Sequence, residues 1–317
     1  MHGEIKLFSG TGCIELAEEI SQHLSIPLSG RDVIQFPNEN IWVRLHESIR
    51  GQDVFLIQTT SSPVNHNVME LLIFLDTLKR ASPDRVTVVT PYLAYGRSDR
   101  KDQPRVPIIA RLIADLIGVA GANRYVTLDL HADQIQGFFS IPGDVLTVLP
   151  ILADYIREKK LDAATVVSAD LGFAKKARNF AAELDMPLAL VEKRRTTMTT
   201  EALTLVGDVE GQDVIIVDEE VNTAGTIVNA VKMVREHGAQ DVYLCFVHAV
   251  LSHPAVDRLR ELDIKEIVTT NSIPIPPEKQ LPNLAVRSVA KLLADVIRRV
   301  HDGCSVGEVF RNYKRYN

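Results

Sequence analysis

Gly51-Gln52-Asp53-Val54 opens a run of apolar residues, and the same four letters return at Gly211-Gln212-Asp213-Val214. Around each copy the pattern repeats. Asp53–Gln58 reads as a strand; after a Ser/Pro/Asn loop, Val68, Leu71, Leu72, Leu75 and Leu78 recur at helical spacing, and Arg85–Thr90 returns as a second strand. The second copy runs through an apolar strand, a Thr-bearing loop and a helix to a new strand at Asp241–Phe246. Two parallel strands joined by a helical crossover are thus expected twice, and a shared tetrapeptide at the same place in both points to internal duplication. The expected fold class is α/β, with two similar lobes, each a mainly parallel sheet flanked by helices, and a ligand crevice at the carboxyl ends of the strands.

The chain has 317 residues, more than one hydrophobic core usually serves. The expected boundaries are an N-terminal lobe at 1–146 and a C-terminal lobe at 147–285. Val286–His301 reads as an amphipathic helix with Val289, Leu292, Leu293 and Ile297 on one face, and the segment 286–303 is expected to pack back on the first lobe.

A net charge of −6 argues against a general nucleic-acid binder, which needs a basic surface, but does not bear on nucleotide binding. Apolar runs all fall short of the roughly 18 residues that cross a bilayer, and Met1–Lys6 lacks the layout of a signal peptide, so a cytoplasmic protein without membrane partners is expected. Cys13, Cys245 and Cys304 are far apart, which indicates neither a disulfide frame nor a zinc site.

Candidate chemistry concentrates in Val214-Ile-Ile-Val-Asp218-Glu219-Glu220-Val221-Asn222-Thr223-Ala224-Gly225-Thr226. A buried strand ends in adjacent carboxylates, and a Thr/Ala/Gly/Thr turn then opens a helix near Ile227. Backbone N–H groups at a helix start suit a phosphate dianion. Ionised Asp and Glu only accept hydrogen bonds, which suits the two donors of a vicinal diol. Strand alternation places Asp129 and His131 on one face, within reach of a divalent cation or phosphate. Asp170, after the strand Ala164–Ser168, reads equally as a third such ligand or as the N-cap of a helix beginning near Phe173. Two basic clusters, Tyr95–Asp102 and Glu192–Thr200, look like exposed loops. Each is an ordinary solvated face by itself; beside a phosphate turn, such a loop supplies the charge neutralisation that phosphoryl-type transfer needs.

These residues resemble the ribose-phosphate diphosphokinases, also called PRPP synthetases, over essentially the whole chain. Phe8-Ser9-Gly10, Glu47–Val54, Asn67–Leu72, Asp129-Leu-His-Ala132, Gln134–Phe139 and Ser305-Val306 carry the resemblance. It implies two phosphoribosyltransferase-type lobes and Mg²⁺-dependent transfer of the β,γ-diphosphate of ATP to the anomeric hydroxyl of ribose 5-phosphate, giving AMP and PRPP. The metal positions fall on His131 and Asp170, and the catalytic loop begins at Lys193-Arg194-Arg195, with Lys193 and Arg195 neutralising the transferring group. Ribose 5-phosphate falls to Asp218, Glu219, Asn222, Thr223, Ala224, Gly225 and Thr226. ATP falls to Phe36, Asn38, Asn40, Arg97, Ser98, Asp99, Asp102 and His131, much of it from a neighbouring subunit of a homo-oligomer built of dimers stacked into hexamers. An allosteric phosphate or ADP site is implied at Ser48, Arg50, Arg105, Ser305 and Phe310.

The chain departs from the family pattern at Asn40 (usually Glu), Ser98 (usually Gln), Ala169 and Phe173 (in a Pro-Asp-x-Gly-Gly turn), and Glu219 and Asn222 (usually Asp). These changes leave open a second reading, a weakened paralogue that assembles with an active synthetase and regulates it. A third, a phosphoribosyltransferase that consumes PRPP, shares the turn but needs none of the ATP-side residues.

Overall fold

The computed structural model describes residues 3–195 and 201–309, with the side chains of 193–195 and 201–203 outside the described set. The chain divides into two compact units: Met1–Thr147 with Ser272–Pro274 and Ser288–Asn317, and Val148–Asn271 with Ile275–Arg287.

The first unit runs β1 (Ile5–Ser9), α1 (Ile14–Leu24), β2 (Arg31–Gln35), β3 (Ile41–Leu45), β4 (Asp53–Ile57), α2 (Val64–Arg80), β5 (Arg85–Thr90), α3 (Ile109–Ala120), β6 (Arg124–Leu128) and β7 (Gly143–Leu146). Its main sheet is parallel, in the order β1-β4-β5-β6-β7, and β2 and β3 form a separate antiparallel hairpin. After α4 (Leu149–Glu158), the second unit repeats the series: β8 (Ala164–Ser168), α5 (Ala174–Leu184), β9 (Leu188–Arg195), β10 (Glu201–Val206), β11 (Asp213–Glu220), α6 (Gly225–Glu236), β12 (Val242–His248), α7 (Ala255–Arg260), β13 (Glu266–Thr270) and β14 (Leu284–Arg287). Here the parallel order is β8-β11-β12-β13-β14, extended at the β8 edge by the β9–β10 hairpin. Two interior strands, β4 and β11, each second in its parallel series, begin at the repeated tetrapeptide.

The tetrapeptide has one structural job in both places. Gly51 and Gly211 sit at φ +69° and +67°, a region in which a side chain is strained. Gln52 and Gln212 then donate their backbone N–H groups to the carbonyls of Ile49 (3.0 Å) and Val209 (3.2 Å), closing equivalent turns into the two interior strands. Those strands are buried on both faces, as parallel strands covered by helices must be. Each unit has its own core: Phe8, Leu56, Leu71, Phe74 and Val88 in the first, and Ile216, Ile227, Val234, Leu244 and Phe246 in the second.

The helices that follow the last strands are exchanged. The helix α4 follows β7 yet belongs to the second unit, where it packs on α5; α8 (Ala290–His301) follows β14 yet belongs to the first, where it packs on α1. An ion network fixes α8. Asp53, fully buried, accepts from Arg85 Nε (2.9 Å) and Nη2 (2.5 Å) and bonds His301 Nδ1 (2.8 Å), while Arg85 Nη2 also donates to the Val300 carbonyl (3.0 Å). The helix starts later than its periodicity predicts. Val286 pairs with Thr269 in the β13–β14 ladder, and the Ser288 hydroxyl accepts the Ala290 N–H (3.1 Å), so the first helical turn forms only at Ala290. No described helix is long and apolar enough to cross a membrane.

Candidate functional site

In the second unit, β11 delivers Asp218, Glu219 and Glu220 to its carboxyl end at 8, 7 and 7% exposure. Asp218 Oδ1 accepts the Glu219 N–H at 2.8 Å. Burial, then the Glu219 carboxyl, then Asp170 hold the Asp218 carboxyl well above the ordinary carboxylate range. Three acidic groups so placed form a concentrated acceptor set that gains from any donor or cation brought to it.

The turn that follows is built to leave donors unused. Ala224 takes the left-handed conformation (φ +60°, ψ 10°), and no side chain caps α6. The first bond of the helical ladder runs from Val228 N–H to the Ala224 carbonyl (2.9 Å), so the N–H groups of Gly225, Thr226 and Ile227 precede the ladder. A left-handed residue followed by a helical start makes a concave nest of N–H groups, and the helix dipole adds positive potential. Thr223 and Thr226 bring hydroxyls to the same turn. Asn222 Oδ1 is buried with no hydrogen-bond partner among the described residues, an acceptor without a donor. Arg258 on α7, which sequence reading does not single out, donates from Nη1 to the Thr223 carbonyl at 2.9 Å.

Asp170 lies at the turn into α5. Its Oδ1 accepts the Phe173 N–H at 3.0 Å, one residue before α5, as a capping group does. Its charge also acts on Asp218, which places it electrostatically with the carboxylates of β11. The Phe173 ring, where a glycine is usual in the resembling family, is buried at 3% exposure with Lys176 Nζ 5.8 Å from its centre.

The expected shared face of Asp129 and His131 does not form. The strand β6 ends at Leu128, and Asp129 turns to φ +31°, which breaks the alternation: Asp129 is buried and His131 exposed. His131 instead adjoins the first basic cluster, since a Cβ on Gly96 would stand 3.4 Å from His131 Cβ. Within that cluster Gln134 Nε2 donates to Asp99 Oδ2 (2.7 Å), Ser98 receives the Ala110 N–H on its carbonyl (3.2 Å), and Arg97 and Asp102 are exposed. Phe36, Asn38 and Asn40 form the exposed tip of the β2–β3 hairpin, closed by Phe36 N–H to the Asn40 carbonyl (2.8 Å).

The second basic cluster is not a loop at its start. Lys193 and Arg195 lie on β9, paired with Leu203 and Glu201 of β10, because an antiparallel edge hairpin supplies the backbone partners. Residues 196–200 lie outside the described residues. Ser48 and Arg50 flank buried Ile49 before β4, Arg105 sits on the loop before α3 at φ +67°, and the Ser305 carbonyl accepts from Arg299 Nη1 (3.0 Å); all four side chains are exposed, and Phe310 lies outside the described residues.

Two parallel-sheet lobes with strand-end carboxylates running into an uncapped Thr-Ala-Gly-Thr helix start define the phosphoribosyltransferase type of fold. The comparisons narrow this. Residues 5–121 match the family described as the N-terminal domain of ribose phosphate pyrophosphokinase, and residues 194–311 match the phosphoribosyl synthetase-associated domain. A ribose-phosphate pyrophosphokinase of Caldanaerobacter subterraneus subsp. tengcongensis is 49% identical over 96% of this chain and 98% of its own. One from Bacillus caldolyticus is 46% identical over 97% and 98%. The crystal structure of phosphoribosylpyrophosphate synthetase from Mycobacterium smegmatis superposes with a TM-score of 0.91 at 42% identity, over 95% of this chain and 99% of that one. The chain belongs to the ribose-phosphate pyrophosphokinase family.

Proposed function

We propose that this chain is an active diphosphokinase that moves the β,γ-diphosphate of ATP onto the 1-hydroxyl of ribose 5-phosphate, releasing AMP and PRPP. The observation that carries the reading is the uncapped α6 turn directly after buried, strand-end carboxylates, in a chain matching full-length relatives of that name. The turn N–H groups and the Thr223 and Thr226 hydroxyls hold the 5-phosphate dianion. Asp218 and Glu219 accept from the ribose hydroxyls, and a ribose hydroxyl supplies the donor that Asn222 Oδ1 lacks. No observation favours a purely regulatory paralogue: the departures at Glu219 and Asn222 retain acceptors, and Phe173 is packed away.

ATP is assigned to Phe36, Asn38, Asn40, Arg97, Ser98, Asp99, Asp102 and His131, with Lys193 and Arg195 neutralising the transferring diphosphate. Excluding water and balancing charge there favours transfer over hydrolysis. The acidic oxygens of Asp170, Asp218 and Glu219 are hard donors, and burial followed by the repulsion of its neighbours raises Asp218, a set that fits a hard divalent cation. Among the described residues no three His, Cys, Asp or Glu side chains form a metal cage; magnesium on nucleotide phosphates asks for only one or two protein groups. His131 and Asp170 are the proposed protein ligands, and bound Mg²⁺ would offset the negative charge of the phosphates.

The β2–β3 hairpin exposes Ile34 (42%), Phe36 (46%) and Trp42 (41%), an apolar ribbon that supports assembly with further copies of the chain. A cytoplasmic location fits a protein whose substrates are phosphorylated metabolites. ADP or phosphate regulation through Ser48, Arg50, Arg105, Ser305 and Phe310 remains a proposal from resemblance. The test is ATP labelled at its β-phosphorus: the label should leave with PRPP and not with AMP. Label recovered as ADP, the mark of single-phosphoryl transfer, contradicts the reading.

A further inference from the structure

Beside the ribose turn, Arg258 reaches from α7 to the backbone. Its Nη1 donates to the Thr223 carbonyl at 2.9 Å and lies 3.6 Å from the point where a Cβ on Gly225 would stand. We propose that Arg258 is a positioning residue for the phosphate of ribose 5-phosphate, holding the Thr223–Ala224 peptide so that its N–H faces the anion. The inference rests on the ribose 5-phosphate reading of the turn.

The reasoning is geometric. The Thr223–Ala224 peptide is trans, so its carbonyl and N–H point in opposite directions. Anchoring the carbonyl to Arg258 therefore turns the Ala224 N–H away from α7. Ala224 is held in a left-handed conformation that an L-residue avoids. No side-chain cap holds the α6 start in place, so the grip on Thr223 is a contact that does. Without it the 223–224 peptide is free to rotate toward the commoner right-handed geometry, and one donor of the nest is lost.

Charge acts in the same direction. A cavity of about 590 Å³ beside the turn is lined by Thr223, Gly225, Thr226, Lys232, Arg258 and Glu261, among others. Lys232 and Arg258 against the single carboxylate of Glu261 leave the lining net positive beside the turn, where a dianion gains more than a neutral sugar. Arg258 contributes to selecting the phosphorylated sugar through the turn it shapes, without needing to touch it.

Calorimetric titration of ribose 5-phosphate into wild type, Arg258→Ala and Arg258→Lys tests this, with steady-state KM values for both substrates. The alanine variant should bind ribose 5-phosphate about ten-fold more weakly, ~1.4 kcal/mol. Its KM for ribose 5-phosphate should rise in step while KM for ATP stays at the wild-type value. Lysine keeps one charged donor for a single carbonyl and should restore affinity to within roughly three-fold. Unchanged ribose 5-phosphate affinity in Arg258→Ala overturns the proposal. So does a parallel loss of both substrates with a lower melting temperature that lysine fails to restore, since that marks general support of α7. A wild type that does not bind ribose 5-phosphate overturns the reading of the turn itself, an outcome distinct from any difference between the variants.

Discussion

Replacing Asp218 by Asn separates what the strand-end carboxylate costs from what it provides. Asp218 is 8% exposed, with burial, Glu219 and Asp170 all raising its pKa. A carboxyl whose folded pKa lies above its unfolded one keeps its proton longer when folded. The folded state is then not penalised below the ordinary carboxylate range, and stability falls as pH rises from the ordinary aspartate value of 3.8 through the folded pKa. Asp218→Asn removes that loss, so the variant should melt higher than wild type at pH 8 and show a flatter dependence on pH. Binding moves the other way. One oxygen, Oδ1, is committed to the Glu219 N–H, which leaves one for a ribose hydroxyl. With Oδ1 still held by the Glu219 N–H, asparagine presents its NH₂ donor where the carboxylate presented an acceptor, so the ribose hydroxyl must turn to accept; a bond to a charged group is worth about 1.5–3 kcal/mol and a neutral one about 0.5–1.5, so the change costs roughly 1–1.5 kcal/mol, or about 5–12-fold in Kd. Thermal melts across pH 4–9 and calorimetric titration with ribose 5-phosphate in the absence of metal read both effects. A lower melting temperature at pH 8, or wild-type affinity for the sugar phosphate, refutes the reasoning.

Asp53→Ala should destabilise the first unit by about 3–5 kcal/mol, because Arg85 and His301 lose a fully buried partner. The matching Asp213→Ala, whose carboxylate accepts only the Asp241 N–H (3.2 Å) among the hydrogen bonds described, should cost about 1 kcal/mol; guanidinium denaturation compares the two. Ala224→Gly should leave stability unchanged or raise it by up to ~1 kcal/mol, since glycine tolerates φ +60°, whereas Ala224→Val should lower it; equilibrium unfolding decides. Phe36→Ala at the hairpin tip should raise KM for ATP several-fold and leave KM for ribose 5-phosphate unchanged in steady-state kinetics, as expected for loss of an aromatic stacking surface worth about 1 kcal/mol.

The repeated Gly-Gln-Asp-Val made the duplicated architecture readable, because a left-handed glycine entering a buried interior strand leaves both a composition and a position in the sequence. The Asp218–Thr226 turn was readable for a similar reason: apolar strand, acidic end and small-residue turn are contiguous. What escaped was non-contiguous or conformational. Arg258 gives no local sign of its grip on Thr223, thirty-five positions away. The left-handed turn at Asp129 interrupts an alternation that composition alone would continue. Lys193–Arg195 look like loop residues because a charged run carries no apolar alternation, and only pairing with β10 identifies them as strand. Val286 fits the spacing of the apolar face of α8, yet the β13–β14 ladder claims it first.

The decisive measurement is chromatographic quantification of AMP and PRPP formed by the purified chain alone from ATP, ribose 5-phosphate and Mg²⁺, with Lys193→Ala as control. Equimolar AMP and PRPP, lost in the control, is the predicted result. Folded protein that binds ribose 5-phosphate but forms no PRPP without a second family member would contradict an active diphosphokinase.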